Sequence, residues 1–323
     1  MLCLIIQPIH SRGLKVLADA GIETRDASAP DMETVAREIS DADAAITRNA
    51  GLNGSAIRAA ANLQVIGNHG TGYDPIDLEY ATDNGIPVVY TPFANVRSVA
   101  EHAIAQMLLI SKRGREADRA MRSGNYDYRY SRDFIELTGK TLGIVGFGKI
   151  GRHTAKIAQD AFDMRVLVYS PNVDPKDIAA AGYELYPDLN VLLAEADIVS
   201  LHQRLTEHTQ HMFNSERLGC MKSGAMLVNT ARGALIDTDA LIEAVDGGHL
   251  RGAAMDVFEP EPLPDDHPLI QCEGIVLSPH VGGATEEALV RTAVQTASQV
   301  VDVLQGRKPE FLVNPDAWLG RRK

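Results

Sequence analysis

Short apolar runs alternate with amphipathic stretches along most of the chain. Each apolar run is typical of a buried strand, and the amphipathic stretch behind it has the spacing of a helix. In about the first ninety residues this pattern predicts strands at residues 2–6, 44–47, 64–67 and 87–90. Strands that alternate with helices in this way build a parallel sheet with helices on both faces.

A second series of strands follows a long amphipathic segment. This segment opens with Ser98-Val-Ala-Glu101, a capping-box pattern, and predicts one helix through about Arg119. Beyond it, apolar runs predict strands at residues 141–145, 165–169, 198–201, 226–229, 252–255 and 275–277, and a last helix is predicted at residues 285–304. The predicted fold class is therefore α/β, with two doubly wound parallel-sheet domains.

Charge and cysteine content exclude several classes of protein. The 323 residues include 31 Lys+Arg and 43 Asp+Glu, which gives a formal net charge of −12. This acidic balance argues against a protein held mainly by nucleic-acid phosphate or anionic lipid. The chain opens without a basic leader, no apolar run approaches ~20 residues, and its 3 cysteines are far apart. We expect a cytoplasmic globular protein with no nucleic-acid, membrane or metal partner.

A glycine-rich loop lies between a predicted strand and a predicted helix. Its glycines, Gly146, Gly148 and Gly151, have the Gly-x-Gly-x-x-Gly spacing that, in this strand–turn–helix context, indicates a dinucleotide site. The first glycine allows a tight turn, the second lets the backbone approach a pyrophosphate, and the third lets helix and strand pack closely. The pyrophosphate would meet free N–H groups at the positive end of the helix.

The end of the next predicted strand bears on which dinucleotide is bound. An NAD enzyme usually carries Asp or Glu about twenty residues after the loop, where it holds the ribose 2′-OH. Here the chain has Ser170 and Asn172, which can donate hydrogen bonds and would not repel a 2′-phosphate. We therefore expect NAD or NADP as cofactor. One hypothesis is that NADP is tolerated and preferred, and the other is an NAD enzyme with a weak ribose contact.

Three charged side chains follow predicted strands on the side where a doubly wound sheet binds ligands: Arg232, Glu261 and His280. Reduction of a 2-oxo acid needs a guanidinium for the carboxylate, a proton donor for the carbonyl oxygen, a group that tunes this donor, and a hydride carrier. Arg232, His280 and Glu261 would supply the first three, and a nicotinamide the fourth. Each residue alone has a structural explanation, but their order behind a dinucleotide loop favours a dehydrogenase.

The chain resembles the D-isomer-specific 2-hydroxyacid dehydrogenase family over nearly its whole length. The motifs that carry the resemblance are Gly70-Thr-Gly-Tyr-Asp74, Arg97-Ser-Val-Ala-Glu-His102, Thr138 to Gly151, Asn229-Thr-Ala-Arg-Gly233, Asp256-Val-Phe and Ser278-Pro-His-Val-Gly-Gly283. The resemblance implies a Rossmann cofactor domain, residues 96–290, inserted into a flavodoxin-like substrate domain, residues 1–95 plus 291–323. It also implies a homodimer with the helix near residues 98–119 in the interface.

The resemblance also implies roles for individual residues. His280 would be the acid–base group, Glu261 its partner, and Arg232 the anchor and polariser of the substrate. Arg48, Thr71 and Gly72 would bind the substrate. Asp256 would hold the nicotinamide carboxamide. The positions assigned to the cofactor are Gly146, Gly148, Lys149, Ile150, Gly151, Ser170, Gln203, Arg204, Thr230, Ala231, Arg232, Asp256, His280, Gly282 and Gly283.

Two departures from the family pattern leave alternatives open. The family usually has Pro where Arg204 stands, so Arg204 could pair with a 2′-phosphate, stack on adenine or point to solvent. Phosphoglycerate dehydrogenases usually have Arg where Asn68 stands, and many add a regulatory domain that we do not expect here. A small or sugar-derived 2-oxo acid, such as glyoxylate or hydroxypyruvate, is therefore the expected substrate. The alternatives are a phosphoglycerate dehydrogenase-like activity and a non-catalytic, NAD-sensing, corepressor-like protein.

Overall fold

The chain forms two compact units in a computed structural model that describes residues 1–131 and 133–322. The first unit contains Met1–Asn95 and Gly283–Lys323, and the second contains Val96–Gly282. Among the described residues, none of the helices combines the length and apolar character that a membrane crossing requires.

Strands and helices follow one another along the chain. The strands are β1 (Leu2–Ile5), β2 (Glu23–Asp26), β3 (Ala44–Thr47), β4 (Val65–Asn68), β5 (Val88–Val89), β6 (Thr141–Val145), β7 (Arg165–Tyr169), β8 (Glu184–Leu185), β9 (Ile198–Leu201), β10 (Met226–Asn229), β11 (Gly252–Met255) and β12 (Ile275–Leu277). The helices are α1 (Ser11–Asp19), α2 (Met32–Glu38), α3 (Gly54–Ala59), α4 (Leu78–Asp83), α5 (Val96–Ser111), α6 (Gly114–Arg122), α7 (Lys149–Phe162), α8 (Pro175–Ala180), α9 (Leu189–Glu195), α10 (Ser215–Cys220), α11 (Thr238–Asp246), α12 (Pro268–Gln271), α13 (Glu286–Leu304) and α14 (Asp316–Leu319).

The first unit is built on a parallel sheet with the strand order β2-β1-β3-β4-β5. This is the flavodoxin-like doubly wound order, which confirms the predicted architecture. Helix α13 packs closely on β4, because a Cβ at Gly67 would lie 2.8 Å from Val300 Cγ2 and 2.9 Å from Thr296 Cγ2. The helix begins one residue later than predicted, since the Thr285 side chain caps it by accepting from the Ala288 N–H.

The second unit is built on a parallel sheet with the order β12-β11-β10-β9-β6-β7-β8. The chain builds the sheet outward from β6, first through β7 and β8 on one side and then through β9 to β12 on the other, as in a Rossmann domain. This prediction is therefore also confirmed. Adjacent residues of β10 pack in different hydrophobic clusters. Leu227 lies in one cluster and Val228 in the other, and both are fully buried. Burial on both faces explains why these strands are continuous apolar runs.

The prediction of one long helix from Ser98 to about Arg119 is wrong. The chain forms α5 and α6 instead, with Arg113 between them at φ +46, in the left-handed region, and its guanidinium bonded to Asp133 at 2.7 Å. Ser98 does not cap a helix either, since it lies inside α5 and its hydroxyl donates to the Gly282 carbonyl at 2.6 Å. Both differences come from contacts between residues distant in the chain, which a local pattern does not reveal.

Candidate functional site

The glycine loop joins β6 to α7, and its glycines differ in what requires them. Gly146 has φ +97, and a Cβ there would lie 2.6 Å from the His202 carbonyl carbon. A Cβ at Gly151 would lie 2.2 Å from the Gly146 oxygen. At Gly148, however, a Cβ would meet no protein atom within 4 Å. The first and third glycines are therefore required by packing within the protein, whereas the second leaves open space before α7.

The amino end of α7 fits the pyrophosphate of a dinucleotide. The helix is 14 residues long and begins with Lys149 and Ile150. Its cap residue, Gly148, has no side chain that could bond to the N–H groups of the first turn. Backbone N–H groups and the positive end of the helix dipole favour an anion at such a terminus. Thr230 is another of the positions assigned to the cofactor. Its hydroxyl oxygen is buried without a hydrogen-bond partner among the described residues. These residues fit a nicotinamide dinucleotide.

The carboxyl end of β7 is tied to the glycine loop. Ser170 is buried, and its Oγ accepts a hydrogen bond from the Phe147 N–H of the glycine loop at 3.1 Å. Asn172 is exposed in the turn that follows. Arg152, which the sequence reasoning missed, places its guanidinium carbon 4.4 Å from the centre of the Phe147 ring. A cation directly after the third glycine was the signal that could have identified it.

Glu261 and His280 are brought together, as the dehydrogenase hypothesis requires. Glu261 Oε2 lies 2.9 Å from His280 Nδ1, and Glu261 Oε1 accepts from the Phe258 N–H at 3.0 Å. The second bond fixes the orientation of the carboxylate toward the imidazole. His280 has φ +53, in the left-handed region, which is uncommon for a non-glycine residue. Its side chain is 31% exposed.

Asp256 clamps the backbone that carries His280. Its Oδ1 accepts from the Ser278 hydroxyl at 2.6 Å and from the Val281 N–H at 2.9 Å, and its Oδ2 accepts from the Gly282 N–H at 2.8 Å. The residue is 1% exposed. Burial raises the pKa of Asp256, but the hydrogen bonds outweigh it and the pKa is lowered overall. The carboxylate thus stays ionised and holds the residues on both sides of His280.

Two polar residues of α5 complete this network, and the sequence reasoning gave neither of them a role. His102 Nε2 lies 3.3 Å from Asp256 Oδ1 and 3.1 Å from Ser278 Oγ. Gln106 donates from Nε2 to Ser278 Oγ at 2.8 Å, and the same nitrogen lies 3.0 Å from His102 Nε2. Their spacing of four residues on one helix was the available signal. The network ties α5 to the loop of His280.

Arg232 stands on a turn that Asn229 builds. The buried Asn229 side chain donates to the Arg232 carbonyl at 2.8 Å and accepts from the Ala231 N–H at 3.0 Å. Behind it, a Cβ at Gly233 would lie 2.1 Å from the Phe258 carbonyl carbon. The glycine therefore lets the Arg232 turn touch the segment that orients Glu261.

The remaining cofactor positions lie after β9 and at the end of the His280 loop. Arg204 is exposed, and its carbonyl accepts from the Thr209 hydroxyl at 2.8 Å. Gln203 is half-buried beside it. His202, next to Gly146, is neutral, because burial lowers its pKa to about 3. Gly283 belongs to the first unit, where a Cβ would lie 3.1 Å from Asn95 Nδ2.

In the first unit, Arg48 follows β3 and its guanidinium donates to the Pro8 carbonyl at 2.9 Å. Partial burial lowers the pKa of this guanidinium, which remains charged at neutral pH. His69 follows β4; burial, together with the Arg48 charge, lowers its pKa to about 4. Its Nε2 is buried without a hydrogen-bond partner among the described residues. The edge of this sheet therefore carries one cation and one neutral imidazole.

The Gly70–Thr71–Gly72 turn is fixed by its own neighbours. Asn68 donates to the carbonyls of Gly70 and Gly72 at 3.0 and 2.9 Å, and the Thr71 hydroxyl donates to Asn95 Oδ1 at 2.8 Å. Asn68, at the position where phosphoglycerate dehydrogenases usually have Arg, is thus a structural residue here.

Within residues 1–131 and 133–322, His, Cys, Asp and Glu form no group of three or more that could hold a metal ion.

Comparisons with known proteins agree with this architecture. A family model described as "D-isomer specific 2-hydroxyacid dehydrogenase, NAD binding domain" matches residues 104–282. A glyoxylate reductase of Thermofilum pendens is 40% identical over 94% of this chain and 90% of its own length. A D-3-phosphoglycerate dehydrogenase of Methanocaldococcus jannaschii is 39% identical over 99% of this chain but 61% of its own length. A solved structure of a Thermus thermophilus protein is 35% identical, with a TM-score of 0.88, and covers 97% of this chain and 100% of that chain.

The family match extends over more than half of the chain and over the glycine loop, the Arg232 turn and the His280 loop. The chain spans about three fifths of the phosphoglycerate dehydrogenase it matches, and nine tenths of the glyoxylate reductase. The chain therefore belongs to the D-isomer-specific 2-hydroxyacid dehydrogenase family and carries the NAD-binding domain of that family.

Proposed function

We propose that this oxidoreductase reduces a small or sugar-derived 2-oxo acid, such as glyoxylate or hydroxypyruvate, to the D-2-hydroxy acid with a nicotinamide cofactor. The observation that carries the proposal is the His280–Glu261 pair, 2.9 Å apart, on a loop that Asp256 clamps. A proton donor held at a fixed position is what reduction of a carbonyl requires in addition to hydride. The similarity to a glyoxylate reductase that the chain covers over 90% of its length supports this choice of substrate.

The roles of the residues follow from their chemistry. When bound, the nicotinamide supplies the hydride that adds to C2 of the 2-oxo acid. Arg232 binds the substrate carboxylate, because a guanidinium matches its two oxygens. Protonated His280 donates its Nε2 proton to the oxygen that becomes the hydroxyl, while Glu261 accepts from Nδ1 and stabilises the imidazolium. Asp256 keeps the imidazole in place and does not transfer a proton.

For the substrate, we propose that Arg48 and the backbone N–H groups of Thr71 and Gly72 bind polar groups of the 2-oxo acid. Asn68 is a neutral amide that donates to the Gly70 and Gly72 carbonyls, so it adds no second positive charge for a phosphate. A substrate without a phosphate therefore suits this turn better than 3-phosphohydroxypyruvate does.

For the assembly and compartment, we propose a homodimer in the cytoplasm. The second unit exposes large apolar side chains on α5, α6 and the segment behind them, which are Leu109, Met121, Tyr126, Tyr130 and Phe134. Exposed large apolar side chains within one stretch of the chain favour an interface between subunits. All three cysteines are free thiols, as expected in a reducing compartment.

The test is a set of initial rates of NADH and NADPH oxidation with glyoxylate, hydroxypyruvate, pyruvate and 3-phosphohydroxypyruvate. We expect the highest kcat/KM with glyoxylate or hydroxypyruvate. Preference for 3-phosphohydroxypyruvate would instead support the phosphoglycerate dehydrogenase-like alternative, which the Methanocaldococcus jannaschii relative favours. Tight binding of the cofactor without turnover of any of these acids would point to a sensor protein.

A further inference from the structure

A cation stands directly behind the glycine loop, in the first turns of α7. Arg152 follows the third glycine directly, in α7, and its Nη2 lies 3.1 Å from Asp177 Oδ2. The guanidinium also stacks on Phe147, with its carbon 4.4 Å from the ring centre. Phe147 itself is fully buried and makes an edge contact with Tyr183. The ring therefore gives the guanidinium a fixed support.

This support is attached to the carboxyl end of β7. The Phe147 N–H donates to the Oγ of Ser170, the first residue after the strand. In doubly wound domains the ribose 2′ group is bound beyond this strand, by an acid in NAD enzymes or near an arginine in NADP enzymes. The chain has no acid from Ser170 to Val173. Arg152 is thus linked, through Phe147, to the first residue after this strand.

The two carboxylates nearest in the chain do not block a phosphate at this position. Asp174 caps α8 by accepting from the Lys176 N–H at 2.9 Å, and this bond directs its carboxylate to the helix. Asp177 pairs with Arg152, but the two side chains are 61% and 38% exposed. A solvent-exposed ion pair contributes little free energy, so a phosphate dianion can compete for the guanidinium.

We propose that Arg152 binds the 2′-phosphate of NADP, on the support that Phe147 provides, with the Ser170 hydroxyl and the Asn172 amide as neighbouring donors. This inference rests on the proposed dehydrogenase function, to which it adds the residue that selects the cofactor. It assigns this role to Arg152 in place of Arg204, which stands in a different loop, after β9, and is exposed.

The experiment measures binding of two probes that differ only in the 2′-phosphate, adenosine 2′,5′-bisphosphate and 5′-AMP, by isothermal titration calorimetry. We expect Arg152→Gln to weaken binding of the bisphosphate about 10-fold or more, as for loss of a charge-assisted hydrogen bond, and to leave 5′-AMP within about twofold. The matched control is Lys156→Gln, on the same helix, where Lys156 pairs with Asp160 at 2.6 Å. This control should bind both probes as the wild type does.

Three results would overturn the inference: an equal loss for both probes in Arg152→Gln, no loss for either, or a selective loss of the bisphosphate in Arg204→Gln instead. Failure of the proposed function is distinguishable from failure of this site. If Arg152→Gln selectively loses the bisphosphate while no 2-oxo acid is reduced, the site stands and the function fails. If 2-oxo acids are reduced but the probes do not separate wild type from Arg152→Gln, the function stands and the site fails.

Discussion

Both units contain a doubly wound parallel sheet, but the side chains at the carboxyl ends of the strands differ between them. In the second unit, the polar groups form fixed pairs: Glu261 holds His280, and Asp256 holds the backbone around it. In the first unit, the edge carries the partly buried cation Arg48 and the neutral imidazole of His69. One topology thus carries a carboxylate–imidazole pair in one unit and a cation beside a neutral imidazole in the other, so the chemistry available at each edge comes from side chains and not from the fold.

The largest expected effect is at His280, the proposed proton donor of the second unit. His280→Gln should lower kcat for 2-oxo acid reduction about 10³-fold, because it removes general acid catalysis. Binding of NADH, followed by fluorescence, should remain. A matched control is His211→Gln: His211 is also left-handed, at φ +47, and lies 3.3 Å from Glu259. If both variants lose activity equally, the assignment of His280 as the proton donor is wrong.

The next effect concerns acid stability, and it comes from His69 of the first unit. The pKa of His69 is about 4 in the folded protein and near its ordinary value of 6.5 when unfolded. Between these values only the unfolded chain binds the proton, so the free energy of unfolding should fall as the pH drops from 6.5 to 4. The loss is roughly 3 kcal/mol at most.

Denaturant titrations across this pH range test the assignment. His69→Gln should flatten the pH dependence, whereas replacement of the exposed His208 in the second unit should leave it unchanged. An equal slope in wild type and His69→Gln would show that the imidazole is not the source of acid lability.

A smaller effect is expected when the clamp of the His280 loop is weakened. Asp256→Asn removes a charged acceptor from two backbone N–H groups and should cost about 2 kcal/mol of the free energy of unfolding at pH 7. The pKa of Asp256 is lowered in the folded protein, so its contribution is present above the unfolded value and is lost as the pH falls through the folded one. The difference between wild type and variant should therefore shrink in acid.

The control for this variant is Asp197→Asn. Asp197 also has a lowered pKa and accepts from Lys222 and the Thr141 N–H, but it lies at the opposite ends of the strands. It should lose stability with little change in kcat, whereas Asp256→Asn should lose both. A normal kcat in Asp256→Asn would mean that the clamp does not position His280.

The smallest effect is expected at Glu261, the proposed partner of the proton donor. Glu261→Gln should lower kcat about 10-fold, since an amide stabilises the imidazolium less than a carboxylate does. The measurement is kcat for reduction of a 2-oxo acid. Glu259→Gln, next to the control residue His211, should leave kcat unchanged, and an unchanged kcat in Glu261→Gln would remove it from this role.

The apolar pattern of the sequence was sufficient to predict most strands of the second unit. The bounds of β6, β7, β9, β10, β11 and β12 agree with the predicted ones, because each is a short apolar run that is at least partly buried along most of its length. Edge strands β2 and β8 were missed, since their side chains are exposed and only their backbones pair with neighbours. Tertiary contacts also decided what the pattern could not: the helix break at Arg113, and the Ser98 bond to Gly282.

The candidate site shows the same division. Residue order behind a dinucleotide loop was enough to select His280, Glu261 and Arg232, because the carboxyl ends of parallel strands meet at one edge. The structural role of Asn68 and the proposed role of Arg152 required the fold. Asn68 bonds to a turn that a sequence cannot place in space, and Arg152 depends on its stacking against Phe147.

The most direct test of the central claim is the fate of deuterium from nicotinamide labelled at C4 when hydroxypyruvate is the substrate. The product is isolated after a single turnover, and its label and configuration are determined. The account predicts D-glycerate with deuterium at C2, formed by the wild type and essentially not formed by His280→Gln. L-Glycerate, an unlabelled C2, or equal formation by the two proteins would contradict it.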